Sequence, residues 1–157
     1  MASHGLPCRY IANTCNWRLK EGGGVVNTWV NMCAGPQLAV LSQKLINTAK
    51  VGVAHAMALP ADDSGCVLRS EQGVTHVIQI LGPNLNPKRP DPLTGSGLGL
   101  WQKAVDLLRR SYDSVLAEFY KLTDLVPPPP LPAAAKDADA YYRNSTWEDI
   151  AEGYLNE

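Results

Sequence analysis

Residues 13–27, NTCNWRLKEGGGVVN, gather the side chains and backbone suited to holding a sugar phosphate. Consecutive glycines Gly22, Gly23 and Gly24 let the backbone take positive φ and approach a ligand closely, and N–H groups turned inward there form a concave anion site. A helix opening near Asn27 adds the positive end of its dipole, so the segment through Val25 and Val26 suits a diphosphate. Asn13 and Asn16 stand at the end of an expected strand, where open α/β sheets place ligands, and their amides can donate to and accept from ribose hydroxyls. Asn16 could also orient a water. Asn27 reads as the helix N-cap, a role that Asp would fill equally.

Three glycines are equally the composition of a loose surface turn. The two common phosphate motifs do not explain them: there is no GxxxxGK[ST], and no GxGxxG joins a strand to a helix. Gly95, Gly97 and Gly99 read as plain flexibility. Trp17 and Trp29 flank the loop, and either could stack on a base or seal the core, the latter being the expectation for Trp29. His55 and His76 fall on expected strands without a spaced nucleophile or acid, and read as hydrogen-bonded residues beside the core. Arg18, Lys20, Lys88 and Arg89 read as solubilising charge. Cys8, Cys15, Cys33 and Cys66 lack CxxC or zinc-finger spacing, so reduced, mostly buried thiols are expected, with no metal.

The elements that must position this loop follow from periodicity. A strand over 10–15 feeds the loop, and a helix from Asn27 carries Val30, Cys33 and Ala34 on one face before Gly35-Pro36 stops it. Pro36 can open a second helix with Leu38, Leu41, Leu45 and Ile46 on a stripe. Strands are expected over 51–59, by alternation, and over 73–81, as a buried run holding Val74, Val77, Ile78, Ile80 and Leu81. Residues 60–65 have turn chemistry, and a loop runs from Gly82-Pro83-Asn84 to Gly99. Beyond it, Trp101, Ala104, Val105, Leu108, Tyr112, Val115, Leu116, Phe119 and Leu122 form one apolar helical stripe. Strands alternating with helices predict an α/β domain over 1–126 with a mainly parallel sheet. The proline- and alanine-rich residues 127–140 read as a stiff linker. Residues 141–157 read as a tail, helical at most on docking, that could serve a protein partner.

The chain has 157 residues, 14 of them basic and 15 acidic, for a net charge of −1. That leaves room for one domain and no basic field for strong nucleic-acid binding. The opening MASHGLPCRY is neither a secretory nor a transit signal, and no stretch resembles a membrane span, so a cytoplasmic or nuclear protein is expected.

Taken in order, IANTCN (11–16), Gly22-Gly23-Gly24, Ala34-Gly35, Ala58-Leu59-Pro60 and HVIQILGPN (76–84) resemble the landmarks of macro domains. The longer GVTHVIQILGPNLNPKRPDPL (73–93) and the following helix look most like the macro-like segment of plant aprataxin-like proteins that also carry a HIT domain. The resemblance spans roughly residues 9–125. No HIT histidine cluster is present, so the DNA-deadenylating activity of that domain is not assigned. The resemblance implies a three-layer α/β/α fold with a mainly parallel or mixed sheet, no cofactor, and ADP-ribose or an ADP-ribosylated protein as ligand. It sets Asn13 and Asn16 along the distal ribose, residues 22–26 along the diphosphate, and Gly82, Pro83 and Asn84 at the border of the site. Asn27 falls where hydrolytic members often carry an acid, and an amide accepts no proton at neutral pH. The family's opening strands would precede Asn13, and its second phosphate loop would follow the long helix where this chain has prolines, so an incomplete fold is expected. Binding is the first reading of function, an interaction scaffold the second, and hydrolysis of ADP-ribosyl linkages or of ADP-ribose 1″-phosphate, with Asn16 catalytic, the third.

Overall fold

The HVIQIL run of the sequence is apolar on both of its faces, which is the signature of a strand covered from above and below. The computed structural model, which describes residues 8–61, 65–86, 88, 92–125 and 127, places it at the centre of the sheet. In chain order the elements are β1 (Tyr10–Cys15), α1 (Val25–Ala34), α2 (Pro36–Gln43), β2 (Ala54–Ala58), α3 (Val67–Ser70), β3 (His76–Leu81) and α4 (Gly97–Thr123). The sheet order is β1-β3-β2, with β1 parallel and β2 antiparallel to β3. The sheet is therefore mixed rather than mainly parallel. Between β2 and β3 the chain passes through the 4-residue α3 and folds back antiparallel, joined by Leu59 N–H to Thr75 C=O at 2.9 Å.

Helices cover both faces. On one, Val30, Ala34, Leu38, Met57, Leu59, Cys66, Leu68, Val74 and Val77 form the main core, tying α1, α2 and α3 to the odd-numbered residues of the strands. On the other, Ala54, Ile78 and Ile80 pack against Val115, Phe119 and Leu122 of α4. The Tyr10 hydroxyl donates to Leu122 C=O at 3.2 Å, and its ring meets Phe119 edge-on at 5.5 Å. The turn between α1 and α2 requires glycine at Gly35: its φ is +75°, and a Cβ there would stand 2.8 Å from the Gly65 carbonyl oxygen. Pro36 then opens α2, where its missing N–H costs nothing.

Several expectations change. α1 begins at Val25 with Gly24 as N-cap and no side-chain cap bond, so Asn27 lies inside the first turn instead of capping it. Of residues 51–59 only Ala54–Ala58 pair as strand, and Val51 and Val53 are exposed beside a turn at Gly52. Trp29 is 47% exposed and does not seal the core. α4 starts at Gly97, and its stripe is half used: Trp101, Leu108, Tyr112 and Leu116 remain exposed. All four cysteines are free, but only Cys66 is buried. The chain divides into two units, Met1–Leu125 and Val126–Glu157. The linker over 128–140 and the tail over 141–157 lie outside the described residues.

Candidate functional site

Beyond Cys15 the chain leaves the sheet, and Leu19 pins it down again. The Leu19 side chain is 2% exposed although its φ is +51°, and its N–H donates to Asn16 C=O at 2.9 Å. A left-handed leucine costs roughly 1–2 kcal/mol, which burial of the side chain offsets. The loop then turns through Gly22 (φ +100°) and Gly23 (φ +84°), while Gly24 is extended. A Cβ on Gly23 would crowd Asn16 Cβ at 3.3 Å.

Two asparagines hold the loop by the same two carbonyls. Asn16 Nδ2 donates to Lys20 and Gly22 C=O, both at 2.8 Å, and Asn27 Nδ2 donates to the same groups at 2.9 and 2.6 Å. Among the described residues no hydrogen bond takes up the N–H groups of Gly22, Gly23 and Gly24. Beside them α1 presents its first turn without a side-chain cap, so its unsatisfied N–H groups add to the positive end of the helix dipole.

Beneath the loop lies a buried amide network. Asn13 Nδ2 donates to Asn27 Oδ1 at 2.9 Å and to Gln79 Oε1 at 2.8 Å, Gln79 Nε2 donates to Ser42 Oγ at 3.2 Å, and Asn31 Nδ2 donates to Asn27 Oδ1 at 3.0 Å. Asn13, Asn27, Asn31, Ser42 and Gln79 are all buried. The register explains the row: Asn13 and His55 both stand opposite Gln79, one step beyond the apolar row of Ile11, Val77 and Met57. Neither Asn31 nor Gln79 stands out in the sequence, because each falls within an apolar run.

An open cleft of about 940 Å³ lies over the ends of β1 and β3. It brings together Asn16, Gly22, Gly23, Gly24, Val25, Val26, Asn27, Gly82, Pro83 and Asn84 in its lining. Asn13 is not in the lining: its side chain is 0% exposed, committed to Asn27 and Gln79, and cannot reach a ribose. Ile46, Ala49, Lys50 and Val51, which carry no motif, complete the wall. The turn at Gly52, whose N–H donates to Leu81 C=O at 2.9 Å, carries Lys50 and Val51 to the end of β3. Trp17 also lines the cleft, with the Arg18 guanidinium 4.8 Å over its ring. Burial pushes the Cys15 thiol up to about 11, so it stays protonated and poorly nucleophilic near neutral pH. Among the described residues no His, Cys, Asp or Glu cluster could hold a metal, and no helix is long and apolar enough to cross a membrane.

Comparison with known proteins agrees with this geometry. No family model matches the chain. The Oryza sativa APL macrodomain, solved in complex with ADP-ribose, is 37% identical with a TM-score of 0.65 over 78% of this chain and 57% of that one. An ADP-ribose binding macrodomain of Dictyostelium discoideum is 27% identical with a TM-score of 0.53, covering 71% of this chain and 49% of its own. The Arabidopsis thaliana protein named transcription factor bHLH140 is 44% identical over 115 residues, which are 73% of this chain and 12% of that protein. The chain thus spans just over half of the rice structure and a small part of the Arabidopsis protein. Landmarks in order, a sheet covered on both faces and a glycine loop on an uncapped helix converge on one conclusion: the chain belongs to the macro domain family.

Proposed function

We propose that the chain binds ADP-ribose, free or attached to a protein, in the cleft over β1 and β3. The observation that carries this reading is the glycine loop, whose carbonyls are held back by Asn16 and Asn27 beside the uncapped start of α1. Loop N–H groups that are not taken up within the described residues, beside a helix start, suit a diphosphate. Its likeness to a rice macrodomain solved with ADP-ribose supports the same ligand. Residues 22–26 follow the diphosphate, Gly82, Pro83 and Asn84 border the sugar, and Asn16 Oδ1, which takes only the Arg18 N–H at 2.9 Å, keeps a lone pair for a ribose hydroxyl. Asn27 acts from beneath, by holding the loop. Binding without turnover is favoured because the described lining residues include no Asp, Glu or His to activate a water. Calorimetric titration tests the reading: ADP-ribose binds at least about tenfold more tightly than AMP, because the loop adds diphosphate contacts. Equal affinities would sink the diphosphate assignment.

A further inference from the structure

Peptide carbonyls only accept hydrogen bonds, and this fixes the direction of the buried amide row beneath the loop. Because the Lys20 and Gly22 carbonyls take the Nδ2 group of Asn27, its Oδ1 must face the other way, toward Asn13 and Asn31. Asn13 must then present its own Nδ2, which it shares between Asn27 Oδ1 and Gln79 Oε1. Gln79 in turn gives Nε2 to Ser42 Oγ, and the Ser42 hydroxyl ends the row by donating to Met57 Sδ at 3.6 Å.

This arrangement leaves two acceptors over. Among the described residues nothing donates to the buried Asn13 Oδ1 or Asn31 Oδ1. Turning the Asn13 amide around would set its oxygen against Asn27 Oδ1 and Gln79 Oε1, two further acceptors. Unpaired buried acceptors cost stability, whereas apolar side chains of similar size would cover the same face without them. Packing alone therefore does not account for the row. What the row delivers stands at its loop end, where the Asn27 amide holds the Lys20 and Gly22 carbonyls.

We propose that Gln79, 1% exposed and outside the lining of the cleft, is a positioning residue for the glycine loop, acting through Asn13 and Asn27. It stands in the central strand, paired to β1 on one side and to β2 on the other, and so forms the fixed end of the row. The loop lies between elements, and the positive φ of Gly22 and Gly23 gives it little stiffness of its own. Gln79 Oε1 keeps Asn13 in the orientation that offers Nδ2 to Asn27, and thereby keeps Asn27 in the one that offers Nδ2 to the loop. Without that acceptor the orientation of neither amide is fixed. Asn16 still holds the same two carbonyls, so the loop is loosened and not lost. The role as it bears on ligand rests on the ADP-ribose reading above.

Two variants of the full chain separate positioning from bulk. Gln79→Met keeps the volume and removes the acceptor, whereas Gln79→Glu keeps an acceptor for Asn13 Nδ2. Calorimetry, beside thermal melts that establish folding, is expected to show ADP-ribose affinity reduced about tenfold in Gln79→Met and AMP affinity changed less than about twofold, with most of the ADP-ribose affinity kept by Gln79→Glu. The amide NMR signals of Gly22, Gly23 and Gly24 supply a readout that needs no ligand: they shift in Gln79→Met and stay near their wild-type positions in Gln79→Glu. Ser42→Ala, a smaller change that takes the acceptor from Gln79 Nε2, moves the same signals in the same direction and serves if Gln79→Met does not fold. Loop signals and ADP-ribose affinity left unchanged in folded Gln79→Met, or equal losses in folded Gln79→Met and Gln79→Glu, overturn the positioning role. A wild type that binds ADP-ribose no more tightly than AMP overturns the ligand reading instead, and the loop signals then decide the role of Gln79 by themselves.

Discussion

Beneath α1, α2 and α3, the sheet buries a broad apolar cluster and a connected set of polar side chains, from the Ser42 hydroxyl through the amides of Gln79, Asn13 and Asn27 to Asn31. Beneath α4, the core is Ala54, Ile78 and Ile80 with a few helix residues, and one flank of the helix stays open. The difference matters for function. An amide network fixes geometry only where apolar neighbours exclude water, because each member must then bond to another or lose its solvation uncompensated. The cleft is built on the face where that condition holds. The helix α4 lends cover to β2 and contributes no residue to the lining of the cleft.

Core truncations give the sharpest contrast. Leu68→Ala empties a fully buried position in the larger cluster and is expected to cost about 3 kcal/mol in denaturant unfolding. Val115→Ala, at the partly exposed α4 contact, costs about 1 kcal/mol. Equal costs would mean that the two faces are held equally well.

Asn27→Asp comes next and joins stability to binding. The sequence alone makes Asp an equivalent cap, but here the substitution deletes both donors to Lys20 and Gly22 C=O and sets a carboxylate oxygen against them. About 2 kcal/mol of stability and roughly tenfold in ADP-ribose affinity are expected to be lost. Tighter binding by this variant, measured by calorimetry beside thermal melts, would show that the loop does not depend on the Asn27 amide.

The smallest effect concerns pH. His76, stacked 5.8 Å from the Tyr10 ring, has its pKa lowered below 6.5 by desolvation and then by Arg69. The folded state therefore prefers neutral imidazole, and this contribution is present above the unfolded-state value and lost as pH falls through the folded-state one. As the pH is lowered from 7, the wild-type Tm should fall more than that of His76→Gln. Parallel pH profiles would remove His76 from the account.

Local pattern was enough to read much of the molecule. The run VIQIL predicts the buried central strand, GGG predicts a loop with left-handed turns, and Gly35-Pro36 predicts the break between α1 and α2, since each depends on backbone preferences or periodicity within a few residues. Membership of the cleft was also legible for the loop and for Gly82-Pro83-Asn84, because strand ends and glycine turns announce themselves. Other features needed the third dimension. Asn13 and Asn16 look alike in sequence, yet the pleat sends Asn13 under α1 against Gln79, whereas Asn16 stands past the end of β1 on the loop. Asn27 exchanges a cap for a buried brace, and Lys50 reaches the wall only because Gly52 is tied to Leu81. The apolar stripe of α4 was plain in sequence, but which of its residues are covered depends on how far the sheet extends beneath them. Residue type and spacing determine what a segment can do locally. Whether a polar group faces a ligand, another amide or water is decided by segments distant in sequence, because burial and partnership are properties of the packed chain.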